Sequence, residues 1–182
     1  NRIISLMEAQ QNNVEYPYLF WNQNYNFGYP TPIFYCNLFL YWPAALLTDG
    51  MLPVLVYKKY VFGLVWIATM MIGLCSYKVS KRSGYAAILA MLLFMLNTHS
   101  ITDILRRGGL GELLALVFIP ICLAGIYQTM YKDSRRWIWL AVGYCGLVLS
   151  HNISFILMCI VFAVFALINM KKLWREKIRI LN

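Results

Sequence analysis

The stretch Thr98-His99-Ser100-Ile101-Thr102-Asp103-Ile104-Leu105-Arg106-Arg107-Gly108-Gly109-Leu110-Gly111-Glu112 sets arginines, carboxylates and glycines between two apolar runs. A guanidinium presents a planar fork of donors that phosphate oxygens accept in pairs. Neighbouring glycines let the backbone approach a ligand closely and leave N–H groups available where a helix starts. These residue types suit a phosphate site on Arg106 and Arg107. The pattern is neither a Walker A loop nor a dinucleotide fingerprint, because no Lys-Ser/Thr follows and no βαβ unit surrounds it. A purely structural reading stands beside it. Asp103 has ion-pair spacing to Arg106 and Arg107, and Glu112 suits the first turn of a helix.

Two further segments carry polar chemistry. Ser150-His151-Asn152 leaves almost no loop between two apolar runs. There His151 is a proton acceptor, a ligand hydrogen bond or a helix cap, and Ser150 or Asn152 fits the N-cap of the next helix. His99 shares this ambiguity, and two isolated histidines without a Cys or Asp constellation make no zinc site. The loop from Trp21 to Tyr35, which includes Asn26, Tyr29 and Tyr35, combines aromatic rings with amides. That mixture suits a carbohydrate, and equally a bilayer interface.

The elements that must position these residues are apolar. The 182 residues are 61% hydrophobic and 13% charged, against roughly 45–50% and about 25% in soluble domains. An ordinary soluble domain is excluded. The formal charge of +9 marks cytoplasmic loops rather than a nucleic-acid surface, because no basic stripe interleaves with exposed aromatics. Cys36, Cys75, Cys122, Cys145 and Cys159 form no CxxC pair and read as unpaired packing thiols.

Five apolar runs are candidate membrane spans: Tyr60–Tyr77, Tyr85–Asn97, Leu113–Tyr131, Trp137–Ser150 and Ile153–Ile168. Two are short, which is workable where polar flanks extend the helix, the bilayer thins or a helix end opens into a wet cavity. Eleven Lys and Arg lie in 78–84, 132–136 and 171–182, against five elsewhere. The positive-inside rule places those three loops in the cytoplasm, and 98–112 and 150–152 outside. Ile3, Ile4 and Met7 recur at helical spacing beside Arg2, Glu8 and Gln11, which predicts a short amphipathic interfacial helix. Ile33–Leu47 leaves two alternatives. Either it is re-entrant or interfacial, giving five spans and an external N-terminal loop, or it crosses, giving six. The start at Asn1-Arg2-Ile3 and the end at Ile180-Leu181-Asn182 suggest a piece of a longer protein.

The run Asn26-Phe27-Gly28-Tyr29-Pro30-Thr31-Pro32-Ile33-Phe34-Tyr35, with Leu38-Phe39-Leu40-Tyr41 after it, resembles the first large extracytoplasmic loop of bacterial polytopic membrane proteins related to the GT-C glycosyltransferase superfamily. Arg107-Gly108-Gly109-Leu110-Gly111-Glu112, a helix with Pro120, and Leu149-Ser150-His151-Asn152 are similar to later landmarks of that group, also known as the 6-pyruvoyl-tetrahydropterin-synthase-related membrane region. The likeness runs over about residues 1–155 in the same order. It implies an all-α polytopic membrane protein with about five spans, an external loop with interfacial or re-entrant helices over 1–59 and a helical bundle over 60–182. It also implies an inverting transferase of the bacterial cytoplasmic membrane and cell envelope, with a polyprenyl-phosphate sugar as donor and the active face extracytoplasmic. The bilayer and a lipid-linked sugar are its expected partners, nucleic acid is not, and a divalent metal is compatible with it. The expected catalytic acid lies upstream of Asn1. Arg106 or Arg107 takes the donor phosphate, Glu112 orients it, and Asn26, Tyr29 and Tyr35 contact substrate. Asp103, His151 and Asn152 complete the candidate set. The rival is a non-catalytic lipid-carrier transporter or envelope-assembly subunit.

Overall fold

The computed structural model describes residues 2–102, 104, 106, 108–132 and 137–170; Asp103, Arg107 and the His99 side chain lie outside the described residues. Helix α1 (Arg2–Gln11) turns its Ile3 and Leu6 side chains into the core. Asn13, in the left-handed conformation at φ 61°, follows its end, a position where asparagine is tolerated. The predicted amphipathic helix therefore forms, but its apolar side packs against a later helix, α3, instead of presenting a bare stripe. The loop that follows is pinned by a single antiparallel bridge, in which Phe20 and Tyr29 exchange N–H···O bonds of 3.1 Å. Phe20 is fully buried and anchors it.

Ile33–Leu47 breaks into pieces. Helix α2 (Thr31–Phe34), a 3-10 turn over Leu38–Leu40 and α3 (Tyr41–Thr48) share the segment. The longest piece has eight residues, or about 12 Å of rise, against the roughly 30 Å of a hydrocarbon core. The crossing alternative fails on length. Prolines explain the interruptions, since Pro32 and Pro43 fall in first helical turns, where a missing N–H is harmless but an incoming helix cannot continue.

The rest is helical: α4 (Pro53–Val79), α5 (Gly84–Met95), the short α6 (Thr98–Thr102), α7 (Leu110–Tyr131), α8 (Trp137–Val148) and α9 (Asn152–Ile168). Among the described residues two helices, α4 and α7, are long and apolar enough to cross a bilayer. Their 27 and 22 residues rise about 40 and 33 Å. The 12 residues of α5 and α8 reach about 18 Å, and the 17 of α9 about 26 Å.

Helix α7 is central and packs on α4, α8 and α9. Its contact with α8 is close because glycines face backbone: a Cβ at Gly125 would stand 2.6 Å from the Leu140 nitrogen, and one at Gly143 would stand 2.7 Å from the Cys122 nitrogen. Outward faces stay apolar, with Phe62 and Trp66 on α4, Leu89 and Leu93 on α5, and Ile156 and Ile160 on α9 all exposed. Such surfaces suit lipid better than water.

Successive long helices alternate in direction, so the bundle has two distinct ends. At one end the starts of α4, α7 and α9 meet the N-terminal region around Tyr57, Gly109 and His151. At the other, Lys78 near the end of α4 sits 3.6 Å from the Trp139 ring of α8, and Asn169 after α9 donates a 2.9 Å hydrogen bond to the Tyr131 hydroxyl at the end of α7. Lys78, Lys81, Arg82 and Lys132 share this second end.

Candidate functional site

At the first end lies an open cleft of about 570 Å³, bordered by Arg2, Thr31, Tyr35, Tyr57, the Gly108–Glu112 segment and His151. They come from α1, α2, α4, the start of α7 and the cap of α9. Tyr35 ends α2, Tyr57 lies in the first turns of α4, Glu112 in the first turn of α7, and His151 is the N-cap of α9.

Arg2 supplies the positive charge. One of its terminal nitrogens donates to the Asn37 side-chain oxygen at 2.8 Å and to the Cys36 carbonyl at 3.4 Å, while the guanidinium lies 5.3 Å from the Tyr35 ring centroid. Its Nε is buried without a hydrogen-bond partner. Burial pushes the guanidinium pKa below its ordinary value, with Tyr35, Cys36 and Tyr60 pulling the other way.

The loop amides hold this arrangement from behind. Gln23 donates to the Ser5 hydroxyl at 3.1 Å and accepts from the Thr31 hydroxyl at 2.8 Å, and Ser5 donates to Asn22 at 2.6 Å. This chain ties the loop to α1 and fixes Thr31 in the cleft wall, so these amides act as struts.

The glycine segment fits closely. Gly108 has φ +61°, and a Cβ there would meet the Tyr57 hydroxyl at 3.0 Å. Only glycine satisfies both constraints without strain. At Gly111 a Cβ would approach the His151 ring to 3.1 Å, so the bare backbone lets the imidazole lie over the start of α7. The His151 ring stacks with Tyr35, centroids 6.3 Å apart at 19°. Its Nδ1 accepts from the Ser154 backbone N–H at 3.4 Å and lies 2.9 Å from the Ser154 hydroxyl. Thus His151 itself is the cap expected from Ser150 or Asn152, while the Ser150 hydroxyl donates to the Leu147 carbonyl at 3.2 Å.

Of the residues singled out in the sequence, Tyr35, Glu112 and His151 come together. Arg106 is exposed and outside the cleft lining, and Asn152 opens α9 with an exposed side chain. Asn26 occupies the loop tip at φ 67° and Tyr29 is half exposed, both away from the lining. Asp103 and Arg107 lie outside the described residues. Arg2, Thr31 and Tyr57 were not singled out as site residues by sequence. The available signal was a lone arginine beside Ile3-Ile4, which helical periodicity assigns to the solvent face.

Among the described residues no three His, Cys, Asp or Glu side chains gather. In the cleft Glu112 and His151 are the two such groups described, and Nδ1 of His151 is engaged by Ser154. That donor set is short of the roughly four to six ligands a resident divalent ion takes. The cleft does offer one half-buried cation, one carboxylate, two aromatic rings beside them and an approachable backbone, which fits an anionic group on a larger amphipathic molecule. No protein family, curated protein or solved structure matches the chain.

Proposed function

We propose that the chain is part of a polytopic membrane protein similar to GT-C glycosyltransferases, and that the cleft receives the phosphate and sugar of a polyprenyl-phosphate donor. The supporting observation is convergence. Tyr35, Glu112 and His151, from three separate sequence landmarks, border one cleft together with the half-buried Arg2. The apolar helix faces beside it would let a polyprenyl tail remain in lipid while its head enters the cleft. In this reading α4, α5, α7, α8 and α9 cross the bilayer, with the cleft at the extracytoplasmic end. The short helices are completed by polar flanks and by the wet cleft itself.

Arg2 takes the role first given to Arg106 or Arg107, stabilising negative charge on the departing phosphate. Arg107, next to Gly108, remains a second phosphate contact. Glu112 orients the head group, and Tyr35 and Tyr57 present ring and hydroxyl to the sugar.

The test is binding and turnover of a photoactivatable polyprenyl-phosphate sugar by the full-length protein, comparing wild type with Arg2→Ala, Arg107→Ala and Glu112→Gln. Losses of about tenfold or more in crosslinking are expected for Arg2→Ala, in line with one desolvated charge-assisted contact. Unchanged crosslinking in both arginine variants rejects the assignment. Crosslinking without sugar transfer in the wild type replaces the transferase by a lipid-carrier transporter.

A further inference from the structure

At the opposite end, α4, α5 and α7 leave an apolar groove of about 510 Å³ whose walls include Cys75, Val79, Ala86, Ile119, Pro120 and Leu123. Its size falls in the ~300–1,000 Å³ range of ligand sites. Pro120 lacks the N–H that would bond the Leu116 carbonyl one turn back, and both residues border the groove.

Its mouth carries a second anomaly. Val79 and Ser80 border the groove, and the next two residues, Lys81 and Arg82, both hold left-handed backbone at φ 56° and 69°. Glycine is the usual choice for such a turn after a helix. Here two strained, exposed cations occupy it. Lys78 differs, because its ammonium is already seated on the Trp139 ring. Among the described residues this end holds no Asp or Glu. A dry trough with two cations at its rim is complementary to a molecule that is a hydrocarbon chain at one end and a phosphate at the other. A transmembrane helix would fill the trough but leave the two charges without a counterpart.

We propose that the groove holds an acyl chain of an anionic phospholipid, with its phosphate on Lys81 and Arg82. The inference rests on α4 and α7 crossing the bilayer and is independent of what the polar cleft binds. Backbone strain retained at a turn is then explained by the position it gives these two side chains.

The experiment is native mass spectrometry of the full-length protein taken from vesicles of equal phosphatidylglycerol and phosphatidylcholine. Wild type is expected to retain phosphatidylglycerol preferentially, by roughly fivefold for each of the two charges. The double variant Lys81→Gly/Arg82→Gly relieves the strained turn, so it is expected to fold at least as stably and to lose the preference. Ala86→Trp fills the groove and is expected to expel the lipid. Equal retention of both lipids by wild type, an unchanged preference in the double glycine variant, or phosphatidylglycerol retained by Ala86→Trp would each overturn the proposal. Release of the protein from membranes by alkaline carbonate would reject the membrane reading itself, a result separable from the others.

Discussion

The two ends of the bundle carry charge in opposite ways. Among the described residues of the cleft end, Arg2, Lys58, Lys59 and Arg106 stand against Glu8, Glu15, Asp49 and Glu112; at the groove end Lys78, Lys81, Arg82 and Lys132 face no described carboxylate. At the cleft end Arg2 is drawn partly inward, bonded to the Asn37 amide and set over the Tyr35 ring. At the groove end Lys81 and Arg82 sit exposed on a strained turn. The cleft end is organised by hydrogen bonds, whereas the groove end is organised by apolar packing.

The largest effect that separates the ends is expected at Gly108. Gly108→Val places a β-branched side chain at φ +61° and against Tyr57, which costs about 2–3 kcal/mol. Thermal unfolding of the detergent-solubilised protein should show it, with lipid preference at the groove end unchanged. A variant of wild-type stability would mean that this segment does not hold the cleft's shape. Next comes Arg2→Met. It keeps much of the packing but leaves Asn37, which is buried, without its donor. The expected loss is about 1–2 kcal/mol, because relief of the arginine's desolvation offsets part of the missing bond. Anionic-ligand crosslinking should fall in parallel. Full stability together with full crosslinking would deny Arg2 both its structural and its ligand-binding role.

His151 lies at the same end and tests a smaller term. Its ring caps α9 through Nδ1, so His151→Ala should cost about 1 kcal/mol and His151→Asn should recover most of it. If the asparagine variant recovers stability but not ligand crosslinking, the imidazole does more than cap. Recovery of both would leave His151 a purely structural residue.

Sequence patterns foretold the bundle better than the cleft, for reasons visible in single residues. Hydropathy placed a span at 60–77, whereas α4 covers Pro53–Val79 because Pro53 starts the helix and Lys58 and Lys59 are carried as exposed side chains on its first turns. The helix Leu110–Tyr131 begins close to its expected Leu113, just after the glycines that allow a start there. Of the three basic loops, residues 78–84 and Lys132 are described, and they lie at one end of the bundle; 133–136 and 171–182 lie outside the described residues. The cleft was less legible because its members, Arg2, Tyr35, Glu112 and His151, are brought together by packing over long sequence separations. Local spacing cannot express that proximity. The resemblance gives Asn26 and Tyr29 a substrate-contact role, and neither borders the cleft. In the fold Asn26 supplies a left-handed turn and Tyr29 a backbone bridge, tasks that favour the same residue types.

The smallest effect concerns the other left-handed turn, at the cleft end. Asn24, Tyr25 and Asn26 hold φ of 54°, 55° and 67°, and between the two tolerant asparagines the tyrosine is the strained member. Tyr25 is 95% exposed, so its ring contributes little packing to offset the strain. Tyr25→Gly removes about 1–2 kcal/mol of left-handed strain and adds about 0.5–1 kcal/mol of unfolded-chain entropy, leaving a net gain of roughly 0.5 kcal/mol. The expected result is a slightly raised melting temperature in detergent, the same sign as for the Lys81→Gly/Arg82→Gly turn. A fall instead would show that this ring is held by something in the folded protein, and the cleft end would then extend to its outermost loop.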